Sequence, residues 1–165
     1  MLQHLAYPNT AEFACRRWCH SPLAGDDLWF LYRRDGQLAG SCRLLHRRAK
    51  AGDDELVLGG IGNVCSHPDA RGIGAAKACM LAAAEYMLQS GKVDFGMLFC
   101  RERVVGFYRK VGWREIENDI VSASRPRVPQ TASPRGGGGY VMIHPGRKSL
   151  EQWPAGAIDL NGEDW

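Results

Sequence analysis

Apolar positions in this chain fall mostly in short alternating runs bounded by glycine and proline, with three stretches at helical spacing among them. Residues 11 to 20 (AEFACRRWCH) space Phe13, Cys15, Trp18 and Cys19 as a short helix would, and Ser21-Pro22 ends it. Leu28 to Tyr32 is a compact aromatic run, Asp35-Gly36 is a strong hairpin signal, and Gln37 to Leu45 reads as the returning strand. The polar stretch HRRAKAGDDE predicts a second turn. Leu56 to Val64 then predicts a strand whose Gly59, Gly60 and Gly62 mark a bulge or a close approach to the backbone.

From Ile73 to about Gln89 the pattern is helical, with Ile73, Met80, Leu81, Ala84, Met87 and Leu88 on one face and Ser90-Gly91 closing it. Lys92 to Cys100 predicts a buried strand, Val104 to Val111 a helix ended by Gly112, Glu115 to Ser122 a further strand, and Tyr140 to His144 a last one. Between these, RPRVPQTASPRGGGG has the composition of a mobile loop. The tail, SLEQWPAGAIDLNGEDW, carries two tryptophans and four acidic side chains and is expected to pack back on the body. Hairpin, strand, helix, strand, helix, strand, strand is the order of an α/β or α+β unit with a mixed sheet, its central strand-helix-strand crossing right-handed.

At 165 residues the chain suits one domain spanning 1–165, and its 45% hydrophobic and 24% charged residues are ordinary for a globular chain. No run of about 18 apolar residues occurs, and the opening MLQHLAYPNT lacks the regions of a signal peptide, so the expectation is a cytoplasmic protein with no membrane contact. The six cysteines are scattered among apolar neighbours and are expected to be free thiols. Cys15, Cys19 and His20 lack a second ligand pair, so no metal site is expected. A net charge of +3 is too slight for a nucleic-acid partner but suits a site for a small polyanion.

Such a site is offered by GGIGNVCSHPDARGIGAAKACM. Small residues at Gly72, Gly74, Ala75 and Ala76 would leave the first N–H groups of the following helix uncovered, where they and the helix dipole can cradle a pyrophosphate. Arg71 adds a fixed positive charge. A plain glycine-rich turn fits the same spacing. The P-loop is excluded because Ala75-Ala76-Lys77 follows Gly74, and the dinucleotide fingerprint because Lys77 stands where a small residue is needed.

Val64, His67-Pro68-Asp69, Arg71-Gly72-Ile73-Gly74-Ala75-Ala76 and Phe107-Tyr108-Arg109-Lys110-Val111-Gly112-Trp113 together resemble the acyl-CoA motifs of the GNAT (Gcn5-related) N-acetyltransferase superfamily. The likeness covers residues 28 to 122. It implies a mixed, mostly antiparallel central sheet flanked by helices, with residues 1–27 forming a reduced N-terminal segment. The tail, Trp153-Pro154-Ala155-Gly156 with Ile158-Asp159 and Asn161-Gly162, is similar to the end of nodulation-factor N-acyltransferases. Its Trp153, Ala155-Gly156 and final acidic-x-Trp resemble aminoglycoside 2'-N-acetyltransferases.

The resemblance implies acetyl-CoA as co-substrate, with pantetheine lying as an added strand where Asn63, Val64 and Cys65 splay from residues 92 to 100, and Arg71, Gly72, Ile73, Gly74, Ala75 and Ala76 on the diphosphate. The N–H of Val64 would steady the thioester oxyanion, and Tyr108 would act as general acid toward the departing sulfur. Taken alone, Tyr108 reads equally as a packing residue and the glycines as a simple bulge. The family's strand glutamate is replaced here by Leu58-Gly59-Gly60-Ile61-Gly62, and Arg101 stands near the place of its asparagine before the second helix.

An acceptor amine with a pKa near 10.4 is neutral about once in 2,500 molecules at pH 7, a cost of roughly 4.6 kcal/mol, so a base or water chain is needed. Substitutes for the glutamate are Asp159, Glu163, Asp164 or the terminal carboxylate of Trp165 if residues 153–165 fold over the acceptor side, or His67 through water. His67 otherwise caps its turn, and each acid otherwise reads as a solvated charge. The partner expected is a small, cationic, amino-sugar-like amine. A longer acyl donor, for which the chain shows no evident tunnel, and a CoA-binding sensor without turnover are the alternatives. A homodimer stays open.

Overall fold

The structure, a computed structural model, describes residues 27–122, 125–128, 139–162 and 165. The expected helix at 11 to 20 and the reduced segment 1–27, except for Asp27, lie outside these residues. Strands β1 (Leu28–Arg34), β2 (Gln37–Ala51) and β3 (Asp54–Ser66) form an antiparallel meander. Helix α1 (Ala75–Gln89) connects β3 to β4 (Phe95–Cys100), which pairs parallel to β3. Helix α2 (Glu102–Lys110) leads to β5 (Arg114–Ile116), β6 (Ile120–Ser122), β7 (Arg125–Val128), β8 (Tyr140–Pro145) and β9 (Ile158–Asp159).

One sheet runs β5-β8-β4-β3-β2-β9-β6-β7, with β1 paired to β2 beside β9. Only β3 with β4 and β6 with β9 are parallel, so the sheet is mixed and mostly antiparallel. The first hairpin turns on Asp35 and Gly36, both at positive φ (50° and 76°), the conformation an Asp-Gly pair adopts at low cost. The second turns on Gly52 at φ 63°, with Ala51 opposite Asp54. Thus HRRAKA continues β2 instead of turning. Arg47, Ala49 and Ala51 are buried on alternate positions once the other face of the sheet is covered, which gives a polar-looking stretch a strand's alternation.

Each face has its own core. On one, α1 and α2 pack Met80, Ala83, Met87, Val105 and Tyr108 against Leu44, Ile61, Leu98 and Met142. On the other, Leu56, Leu58, Phe95, Met97 and Val141 are covered by Ile158, Leu160, Trp153 and Trp165. The tail therefore packs back, with Trp153 edge-on to Phe95 at 4.9 Å and its Nε1 donating to Asn118 Oδ1 at 2.8 Å.

The buried face of α1 is only partly the one predicted: Met80, Ala84 and Met87 are buried as expected, but the face is rotated. Ala75, Cys79, Met80, Ala83, Ala84 and Met87 are buried, while Ile73, Leu81 and Leu88 are exposed. Small side chains let the helix lie close to glycines of the sheet: a Cβ at Gly59 would come within 2.9 Å of Met87 Sδ, and one at Gly96 within 2.8 Å. The predicted strand 115 to 122 is two strands, β5 on β8 and β6 on β9, and residues 125–128 of the expected mobile loop form β7. Residues 129–138 of that loop lie outside the described residues.

Candidate functional site

The segment between β3 and α1 is held from below. His67 N–H donates to the Ala39 carbonyl at 2.8 Å, and His67 Nδ1 accepts from the Asp69 N–H at 3.2 Å, so this histidine caps a short 3-10 turn over Pro68–Ala70. Gly72 and Gly74 then take φ of 84° and 86°, a region that suits glycine, and a Cβ on either would meet nothing within 4 Å. Backbone conformation demands the glycines, and their open surroundings leave the main chain approachable.

Ala75 begins the helix at 1% exposure, pressed against β2 so tightly that a Cβ on Gly40 would lie 2.8 Å from its own. Gly40 was not singled out from the sequence; an isolated strand glycine hints at close backbone approach without naming the neighbour. The first helical bond runs from Ala78 N–H to the Gly74 carbonyl at 2.9 Å, so the amides of Ala75, Ala76 and Lys77 make no bond within the helix. Exposed Arg71 and Lys77 flank them. Around exposed Gly72 and Gly74 this is a positively polarised stretch of main chain, and its chemistry fits a diphosphate.

Beside it the sheet opens. The β3–β4 ladder runs from Leu58/Phe95 to Ile61/Leu98 and stops there, although β3 continues to Ser66 and β4 to Cys100. On its other edge β3 bulges: Ser41 faces Cys65 and Arg43 faces Gly62, leaving Asn63 and Val64 opposite Cys42 alone. Asn63 has φ 52°, and its carbonyl accepts from Ser41 Oγ at 3.4 Å. Burial pushes the Cys65 thiol up, and takes Cys100 at the end of β4 to about 11. Both stay protonated at neutral pH and serve as packing groups. Cys42, Cys65, Cys79 and Cys100 are all free and buried.

Helix α2 carries Tyr108 on its buried face, 8% exposed and 5.1 Å from the Phe107 ring. Tyr108 shares a core with Ile61, Leu98 and Cys100, the residues that line the end of the ladder. The carbonyl of Tyr108 accepts from Val111 and Trp113, closing the helix at Gly112 with φ 92°. The FYRKVGW block is thereby a helix end whose tyrosine is buried in the core beside Ile61, Leu98 and Cys100.

The acidic tail residues are placed unequally. Asp159 is exposed, its Oδ1 accepting from the Asn161 N–H at 2.8 Å, and it pairs with Lys50. Lys50 lies seven residues beyond Arg43 on β2, about 23 Å at the rise of a strand, so Asp159 is not brought to the opening. Glu163 and Asp164 lie outside the described residues. Trp165 does reach the opening, against Gly60, Gly62 and Phe99. Among the described residues no group of three or more His, Cys, Asp or Glu is placed to hold a metal, and no helix is long and apolar enough to cross a membrane.

Residues 1–116 match the family model described as Acetyltransferase (GNAT) domain. No curated protein sequence matches the chain at a significant level. Among solved structures the fold is similar to an acyl-CoA N-acyltransferase from Pseudomonas aeruginosa, at 20% identity and a TM-score of 0.52 over 87% of this chain and 85% of that one. It is similar to the GNAT family N-acetyltransferase YhbS of Escherichia coli, solved in complex with CoA, at 12% identity and 0.60 over 96% and 80%. A conserved protein of Enterococcus faecalis matches at 24% identity and 0.55 over 69% of this chain; the chain spans only 28% of that one. At such identities the likeness is one of fold, and it is the fold the motifs implied.

Proposed function

The chain belongs to the GNAT acetyltransferase family, and on that premise we propose that it is an N-acetyltransferase that takes acetyl-CoA as co-substrate and passes the acyl group directly to a primary amine in a ternary complex. The observation that carries this reading is the adjacency of two features: the bare helix entrance at residues 71 to 76, and the end of the β3–β4 ladder beside the bulge at Asn63 and Val64. Arg71, Gly72, Ile73, Gly74, Ala75 and Ala76 hold the diphosphate; Asn63, Val64 and Cys65 line the pantetheine. Acetyl-CoA would supply the activated thioester.

Main chain at Val64 donates to the thioester oxygen as the amine attacks the carbonyl carbon, steadying the negative charge that develops there. When the C–S bond breaks, Tyr108 gives its phenolic proton to the departing thiolate. The acceptor nitrogen must lose a proton as it forms the amide. Leu58 to Gly62 offers no carboxylate for this, and Asp159 is held at the far end of β2. Water in the opening, passing the proton to His67 or to Glu163 or Asp164, is the route we favour. These two acids are the nearest in sequence to Trp165, and their charge suits a cationic, amino-sugar-like acceptor.

Thiol release from acetyl-CoA with a panel of primary amines, amino sugars included, tests the assignment. Tyr108→Phe should lower turnover by about 10²-fold, within the usual range for a general acid, with acetyl-CoA affinity within twofold of wild type. Release unchanged in the variant would remove Tyr108 from the chemistry. Tight acetyl-CoA binding without release to any amine would instead support a CoA-binding sensor.

A further inference from the structure

Gly60 and Gly62 present their bare faces to the side of the sheet away from α1, and there the indole of Trp165 lies on the backbone. A Cβ on Gly60 would fall 2.5 Å from Trp165 Cε2, 2.6 Å from Cδ2 and 2.9 Å from Cζ2; one on Gly62 would lie 3.8 Å from Cδ1. Any side chain at 60 would therefore displace this ring. Phe99 meets the indole edge-on at 5.5 Å, and the guanidinium of Arg47 lies 5.3 Å from its centroid. Trp165 Nε1 is buried and finds no hydrogen-bond acceptor among the described residues, so among them the ring is held by shape. Gly60 pairs with Met97 one step before the last rung of the β3–β4 ladder, and Gly62 lies one step after it. The indole thus roofs the sheet at the point where β3 and β4 part.

We propose that Trp165 is the specificity-determining stop for the acyl group. This rests on the proposed acetyl-CoA reading. With the thioester oxygen at the bulge, an acyl chain longer than acetyl that runs back from Val64 toward Gly60 enters the volume the indole fills. Without the indole, the strip from Gly62 to Gly60, about 7 Å long at the rise of a strand, becomes a trough of bare backbone walled by Phe99. Its chemistry suits a short, straight, apolar chain such as butanoyl or hexanoyl, each methylene buried there adding about fourfold to affinity.

Calorimetric titration with acetyl-CoA and hexanoyl-CoA tests this without an acceptor. Wild type should bind acetyl-CoA at least tenfold more tightly than hexanoyl-CoA. Trp165→Ala should hold acetyl-CoA within about threefold of wild type and gain tenfold or more for hexanoyl-CoA. Adding Gly60→Val, which refills the vacated volume from the strand, should abolish that gain. An unchanged ratio in Trp165→Ala, or wild type binding both donors equally, overturns the assignment. The wild-type ratio decides it alone should the variants fail to fold. Failure of wild type to bind acetyl-CoA at all would sink the acetyltransferase reading, and this inference with it, by a different signature.

Discussion

The two faces of the sheet are packed in opposite ways. On one, a regular helix lies close because glycine meets alanine or methionine: Gly40 against Ala75, Gly59 and Gly96 against Met87. On the other, an irregular tail lays large rings on the strands: Trp153 on Phe95, and Trp165 on Phe99 and Gly60. Close helix packing holds the start of α1 against β2, where the proposed diphosphate cradle lies. Rings on a tail fill volume, and volume can be altered without moving the strands. On the proposed reading, the helix face holds the donor's constant part and the tail face discriminates between donors.

The sharpest way to break that division is Gly40→Val. Its Cβ would meet Ala75 Cβ at 2.8 Å and Ala75 main chain at 3.0 Å, which forces the start of α1 off the sheet. We expect a stability loss of about 3 kcal/mol by denaturant titration, at the upper end for overpacking, together with weaker acetyl-CoA binding. Trp153→Ala attacks the other face. Loss of a half-buried indole and its bond to Asn118 should cost about 2–3 kcal/mol, while acetyl-CoA affinity stays within twofold. Equal effects of the two changes on cofactor affinity would erase the distinction.

The smallest effect is a pH dependence at Asp94, buried just before β4. Burial pushes the Asp94 carboxyl up, but bonds from Arg147 Nε and the Val57 N–H, both 2.7 Å, and the charge of Lys148 outweigh it and hold the group below its ordinary value. The folded state therefore binds this proton less readily than the unfolded one. Its stabilisation is complete above the unfolded value near 4 and is lost as pH falls through the lower folded value. Denaturant midpoints between pH 3 and 6 should fall more steeply toward acid in wild type than in Asp94→Asn.

Much of the donor side was legible in the sequence because local rules decide it. Asp35-Gly36 takes a backbone conformation that few other pairs take cheaply, the glycines before Asn63 announced an irregular strand, and Gly72 and Gly74 announced an open helix entrance. Errors arose where a distant segment supplies the cover. HRRAKA reads as a turn until Trp165 is known to lie over Arg47, and the periodicity of α1 points Leu81 and Leu88 inward until Gly59 and Gly96 are seen to admit Met87. Asp159 and Trp165, six residues apart, looked like one acceptor cluster. Pairing of Ile158 and Asp159 with the far end of β2 separates them.

The central claim is that the amides entering α1 grip the diphosphate of coenzyme A, and calorimetry on Gly74→Glu tests it most directly. Position 74 is open, so the new side chain displaces no neighbour, although φ 86° adds backbone strain that circular dichroism and melting would register separately. With the fold intact, a negative charge at that entrance should weaken acetyl-CoA binding by tenfold or more. Affinity equal to that of wild type would contradict the account.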